Sequence, residues 1–255
     1  EKAKNGKVIK VEILENYKKM ILKNKLALVT GANRGIGLEF VRQLAARGER
    51  VFATCRQPAE AIELHDLQTQ NPDLVSITAL DVTDPRSVAE SHNTISTQTE
   101  TLDLLINNAG INIDDGSFGA LDLDTMQSIL TVNSIAPMLV TQQYLDLVKA
   151  GSKPKIINVS SGNGSLANLV MTGYYSYSAS KAALNMYSLR LSHDLKDIGV
   201  IVIMLHPGWV KTDMGGPNAD ITPQDSIKSM LQFIDTLTLD NSGGYYDYTG
   251  KIIPW

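Results

Sequence analysis

Six short apolar runs recur along this chain: Leu26–Thr30, Val51–Thr54, Val75–Leu80, Leu102–Ile106, Lys155–Val159 and Val200–Leu205. Their β-branched content and near-continuous apolarity suit strands covered on both faces, and the segments between them are long enough for crossover helices. After the first run, Leu38–Arg47 carries apolar residues at Leu38, Val41, Leu44 and Ala45, one face of a helix that Gly48 ends. The alternation predicts an α/β protein built on an open, mostly parallel sheet, doubly wound with helices on both faces. Such a sheet binds ligands at its carboxyl edge, where the strand order reverses.

Composition limits what such a sheet can serve. At 255 residues, 43% hydrophobic and 20% charged, the chain has enough apolar material for one well-buried core, so a single domain is expected over 26–255. A formal net charge of -4 argues against a broad electropositive face for nucleic acid. Cys55 is the only cysteine, which rules out an intrachain disulfide and a zinc site of several thiolates, and a reducing cytoplasm is the expected compartment. No run approaches the ~20 apolar residues that span a bilayer. His65, His92, His193 and His206 are scattered without metal-ligand spacing, so no metal is expected.

Residues 1–25 differ from the rest. They are rich in lysine and contain the alternating run Val8–Leu14, which suits a short strand, an interaction arm or sequence upstream of a start at Met20. No function is read from them.

The segment Thr30-Gly31-Ala32-Asn33-Arg34-Gly35-Ile36-Gly37 lies between the first strand and the first helix. Glycines there let backbone N–H groups approach an anion at the helix N-terminus, although the spacing is not G-x-G-x-x-G and a ligand-free turn uses glycine too. In sheets of this Rossmann type an acid about 20 residues further on holds a ribose 2′-hydroxyl. The second strand here ends Thr54-Cys55-Arg56 with no acid. Arg56 and Arg34 offer planar forks to a 2′-phosphate, which favours NADP(H) over NAD(H); two ordinary surface arginines are the plainer alternative.

Far downstream, Tyr177-Ser178-Ala179-Ser180-Lys181 places a phenol and an ammonium at i and i+4 on a helix expected over Ser176–Lys196. A phenol with a pKa near ~10 serves as a proton carrier at neutral pH only if its anion is stabilised. A cation about 4 Å away at an effective dielectric of about 20 supplies about 4 kcal/mol, enough to lower that value by roughly three. A chance pairing of tyrosine and lysine competes with this reading. Ser161 follows the fifth run and is the candidate for polarising a substrate carbonyl, with Ser160 as competitor and two plain turn serines as the alternative. Asn133 falls in the helix-like stretch Leu121–Leu147 just before Pro137, where a polar residue usually marks a cap or kink.

Taken in order, Thr30–Gly37, Asp81-Val82, Asn107-Asn108-Ala109-Gly110, Asn133, Asn158-Val159-Ser160-Ser161, Tyr177–Lys181 and Pro207-Gly208 resemble the successive motifs of the short-chain dehydrogenase/reductase family, over Leu26–Trp255. The ending Asp247–Trp255 resembles the C-signal and Sniffer-type carbonyl reductases within it. The resemblance implies that Ser161, the second serine, is the catalytic one, and that Asn133 holds a water linking Lys181 to solvent. It also implies that Asp81, with Val82 beside it, contacts adenine, and that Asn108, Ala109 and Gly110 pass beside the adenosine ribose. Pro207, Gly208, Val210 and Thr212 border the nicotinamide, and pairing into a homodimer is common among such proteins.

These pieces assemble into carbonyl reduction: hydride comes from NADPH, Ser161 polarises the oxygen, and Tyr177 gives the proton with Lys181 and Asn133 behind it. Other readings stay open: an NAD-linked alcohol dehydrogenase, an epimerase acting through a transient ketone, and a dinucleotide-binding regulator that signals through a partner. Residues 211–241, with Gly215, Gly216 and Pro217, are expected to supply a short mobile substrate lid, and Met171, Trp209 and Met214 to border an apolar pocket.

Overall fold

The computed structural model describes residues 25–168 and 173–255. The N-terminal expectations for residues 1–24 and the placement of Met171 fall outside the described residues. Seven parallel strands form one sheet: β1 (Leu26–Thr30), β2 (Arg50–Cys55), β3 (Val75–Ala79), β4 (Leu104–Asn107), β5 (Lys155–Val159), β6 (Ile201–His206) and β7 (Tyr245–Asp247), in the order β3-β2-β1-β4-β5-β6-β7. The order reverses between β1 and β4, so a crevice opens above their carboxyl ends. The six expected strands are all present within two residues at either end. β7 escaped notice because it has three residues and follows Gly243-Gly244, which read as a turn.

Strand side chains alternate between two cores. Ala27 and Val29 of β1 join one cluster, with Phe40, Val41 and Leu44 of α1 (Gly35–Ala46), Leu64 and Leu67 of α2 (Ile62–Gln70), and Ile227, Met230 and Ile234 of α8 (Pro223–Thr236). Leu26 and Leu28 point the other way, toward Val88 and Ile95 of α3 (Pro85–Ser96) and Val140, Tyr144 and Val148. Both faces are therefore covered, which is why the strand sequences show little polar alternation.

Two elements depart from a simple helix pattern. The stretch expected as helix over Leu121–Leu147 is broken into α4 (Leu123–Leu130), a π-helical turn at Thr131–Ile135, α5 (Ala136–Gln143) and α6 (Leu145–Lys149). Pro137 cannot donate to the preceding turn, and the wider π turn absorbs that break. The long helix α7 (Tyr175–Leu195) has a weak apolar face, and it buries Ser180, Lys181, Asn185 and Ser188.

Those polar groups are paired with the strand ends. Asn158, fully buried on β5, donates to Ser188 Oγ at 2.7 Å and accepts from Asn107 Nδ2 of β4 at 2.8 Å; the two asparagines are register partners. Asn107 Nδ2 also reaches Thr141 Oγ1 on α5 at 3.0 Å. Asn158→Ala removes the shortest of the Asn107 Nδ2 contacts and the donor to Ser188 Oγ, which keeps only its own bond to Leu184 O, inside the core. Urea unfolding of that variant is expected to show a loss of about 1–3 kcal/mol, whereas a change inside experimental error would mean that the chain of contacts contributes nothing.

Candidate active site

The crevice begins with a glycine turn that only small residues can make. Gly31 has φ +64, and a Cβ on Gly37 would collide with the Gly31 carbonyl oxygen. Thr30 and Asn108 tie this turn to the end of β4: the Thr30 hydroxyl accepts from the backbone N–H groups of Asn108 and Ala109 at 3.0 Å, and Asn108 Nδ2 donates to Thr30 O at 2.8 Å and Gly31 O at 3.1 Å. Helix α1 starts after Arg34 with no side-chain cap and no acid in its first turn. The N–H groups of Gly35, Ile36 and Gly37, preceded by Asn33, therefore line an anion-binding end. The chain's residues fit a dinucleotide pyrophosphate there.

The flanking residues lie along the carboxyl edge of the sheet. Arg56 is exposed just beyond β2. Arg34 is exposed as well, but its guanidinium meets the Asp213 carboxylate at 3.3 Å. Asp81 uses Oδ1 to accept from the Thr83 backbone at 2.9 Å and hydroxyl at 2.7 Å, which orients its carboxyl group beside buried Val82. Beyond β6, the Pro207 carbonyl accepts from Ser226 Oγ of α8 at 2.6 Å, Gly208 packs under Tyr248, and Val210 is buried through a bridge to Ile221. Thr212 leans over the glycine turn, where a Cβ on Gly35 would stand 3.5 Å from its Cγ2.

The segment expected to form a mobile lid, 211–241, divides in two. Pro223–Thr236 is α8, whose apolar stripe lies in the core, because Ile227, Met230, Leu231 and Ile234 recur at helical spacing. Only the loop before it covers the crevice, with Trp209 and Met214 half exposed and Trp209 Nε1 donating to Gly215 O at 2.7 Å.

Four side chains converge at the carboxyl ends of β4 and β5. Asn133 is fully buried, turned inward by the π turn, where Oδ1 accepts from Ile111 N and Nδ2 donates to Ile111 O, both at 2.8 Å. Nδ2 also reaches Ser180 Oγ on α7 at 3.0 Å. The kink and the tertiary contact coexist: the backbone break is what aims the side chain. Lys181 is 5% exposed and donates to Val159 O at 2.9 Å. A Cβ on Gly110 would lie 3.2 Å from Asn133 Oδ1 and 3.7 Å from Lys181 Nζ, so glycine leaves the space between them open.

The two serines separate. Ser160 is deeply buried and donates to Asn185 Oδ1 at 2.6 Å, which commits its hydroxyl to α7. Ser161 keeps its hydroxyl at the crevice, accepting from Asn163 N at 3.3 Å and interacting with the Tyr177 phenol.

The expected charge effect on Tyr177 is not realised by the pair alone. Lys181 Nζ stands 5.8 Å from the centre of the Tyr177 ring. Burial pushes the Tyr177 phenol above its ordinary value, with the Ser161 hydrogen bond pulling the other way, and burial pushes the Lys181 ammonium down to about 8. A pair estimate made from spacing omits the water that both groups lose together, and here that loss is the larger effect. His206 behaves similarly: burial lowers it to about 4, against the pull of Asp247, so it is neutral near Gly162.

Some supporting residues were not singled out from the sequence. Asp115 Oδ2 accepts from Ser176 N at 2.7 Å, capping α7 from a distant loop where Tyr174, at φ +52, supplies no side-chain cap. Asn185 and Ser188 continue the face of Tyr177 and Lys181, a polar stripe at helical spacing that was visible in the sequence. Asp115 left no such signal.

Comparisons with known proteins identify the family to which this fold belongs. The family model described as short chain dehydrogenase matches residues 25–223. The C-signal protein of Myxococcus xanthus is 41% identical over 157 residues, covering 62% of this chain and 95% of its own length. A crystal structure of NADPH-bound carbonyl reductase from chicken fatty liver superposes with a TM-score of 0.86 at 39% identity, over 91% of this chain and 99% of that one. The carbonyl reductase Sniffer of D. melanogaster has a TM-score of 0.87 at 32% identity, with the same two shares of 91% and 99%. Among the described residues no helix is long and apolar enough to cross a membrane. With its parallel sheet, glycine turn and Tyr-x-x-x-Lys helix, this chain is an oxidoreductase of the short-chain dehydrogenase family, which works with a nicotinamide dinucleotide.

Proposed function

We propose that this protein reduces a ketone or aldehyde to an alcohol with NADPH. The convergence of Ser161, Tyr177, Lys181 and Asn133 beside the glycine turn carries the reading. NADPH supplies hydride to the carbonyl carbon when bound. Ser161 donates a hydrogen bond to the carbonyl oxygen, where negative charge grows. Tyr177, a neutral phenol at physiological pH, gives its proton to that oxygen. Lys181 keeps one N–H on Val159 O, which leaves its remaining donors to hold the cofactor when it is bound and its positive charge to support the forming phenolate. Asn133 stands behind Lys181 at the start of a path for proton return. The loop 211–222 acts as the lid, and its Asp213 meets Arg34 of the glycine turn at 3.3 Å.

Three features support NADPH over NADH: the missing acid after β2, the exposed Arg56, and NADPH in the chicken relative. Arg56→Ala is expected to weaken NADPH binding by about tenfold while leaving NADH binding unchanged, as read by fluorescence titration. Equal NADPH affinity in the two proteins would remove the phosphate assignment.

Tyr177→Phe is expected to bind NADPH like the parent and to lose at least about 100-fold in turnover of a carbonyl panel. Normal turnover with intact cofactor binding would reject the proton-donor role. The pH dependence has a defined sign. Reduction needs both Tyr177 and Lys181 protonated, and the Lys181 value is the lower, so kcat/KM for reduction, which follows the free protein, falls as pH rises through about 8. Alcohol oxidation, which needs the tyrosinate, rises in the same direction. A kcat/KM for reduction that climbs through that range in stopped-flow assays would contradict the assignment.

A further inference from the structure

The ending that resembled carbonyl reductases has no part in the chemistry just described, yet it is built against the loop that carries Ser161. From β7 the chain turns at Asp247, whose Oδ1 accepts from the Thr249 backbone at 2.8 Å, and returns antiparallel through a bridge between Tyr246 and Ile252. Ile253 N donates to Tyr245 O at 2.8 Å. The return strand then docks on residues 165–167: Ser165 Oγ donates to Pro254 O at 2.6 Å, and Ala167 N donates to Trp255 O at 2.8 Å. Tyr245 is buried, its ring 5.7 Å from the Trp255 ring at an interplanar angle of 30°. Its hydroxyl donates to the Ser161 carbonyl.

Ser161 sits where β5 has ended and a 3₁₀ turn over Gly162–Gly164 begins, so no strand ladder sets its backbone orientation. Its neighbour Ser160 is anchored by Asn185, but the Ser161 hydroxyl direction depends on the peptide plane that follows it. The carbonyl of that plane accepts two hydrogen bonds, one from Gly164 N at 2.9 Å within the turn and one from the Tyr245 hydroxyl, which ties the turn to β7. Phenylalanine at 245 would fill the same space beneath Trp255 and lack only the donor.

We infer that Tyr245 is a positioning residue for Ser161, its buried hydroxyl holding the Ser161 carbonyl so that Ser161 Oγ faces the substrate oxygen, with Trp255 fixing the Tyr245 ring. The inference rests on the proposed role of Ser161 in carbonyl reduction. A misdirected hydrogen-bond donor lowers the chemical step and leaves cofactor binding, made at the other end of the crevice, untouched.

The test is a double-mutant cycle on the full chain with NADPH and p-nitrobenzaldehyde, reading kcat, KM and NADPH affinity separately. Tyr245→Phe is expected to lower kcat by about 10- to 100-fold with NADPH affinity unchanged, and to change the Ser161→Ala protein by less than about twofold. Trp255→Ala, at a half-exposed position, is expected to show the same split, and it provides the measurement if Tyr245→Phe does not fold. Parent-like turnover by these variants beside a crippled Ser161→Ala overturns this inference alone, as does an equal loss in the Ser161→Ala background. Parent-like turnover by Ser161→Ala itself overturns the role on which the inference rests.

Discussion

Burying one face of a polar helix is the constraint on which this structure depends. α7 places Lys181, Asn185 and Ser188 in the interior, and each has to find a partner or cost the fold its full desolvation. The partners are at the end of β5 and the turn that leaves it: Val159 O, Ser160 Oγ and Asn158 Nδ2, with Asn107 of β4 completing the chain. A helix packed by apolar contacts alone can slide or rotate with little penalty. One tied at successive turns to named strand atoms has a single register, and that register puts Tyr177 at the crevice.

The same burial sets the electrostatics. Desolvation opposes ionisation of both the phenol and the ammonium, so the helix delivers a neutral tyrosine and a lysine whose proton is held less tightly than usual. Such a pair is poised to be changed by what enters the crevice: polar groups arriving beside Lys181 replace the water it has lost. The π turn at Asn133 belongs to the same design, since a regular helix through Pro137 would rotate that amide away from Ile111 and Ser180. The unusual backbone of this turn thus coincides with a residue proposed to act.

At the opposite end the donors proposed for the cofactor are offered by backbone rather than side chains. Thr30 and Asn108 bind the glycine turn to the end of β4, so the first turn of α1 is presented as a rigid set of donors. The charged residues around it are exposed and paired weakly, as Arg34 is with Asp213. In the proposed reading, backbone donors meet the part common to all dinucleotides and exposed charges meet the part that distinguishes them.

Strands, glycine turn and the Tyr177–Lys181 spacing were legible because each is a local pattern: period, chain reversal and helical repeat act within a few residues. The sequence by itself thus determined the sheet, the crevice at its carboxyl edge and the helix that carries the phenol. Tertiary structure alone decided which serine is free, because Ser160 and Ser161 differ only in what α7 offers them, and why Asn133 points inward. It also placed Asp115 on the start of α7 and Tyr245 on Ser161, partners 61 and 84 residues apart along the chain. Side-chain ionisation belongs with these, since it depends on water removed by distant segments, a quantity that spacing along one helix does not contain.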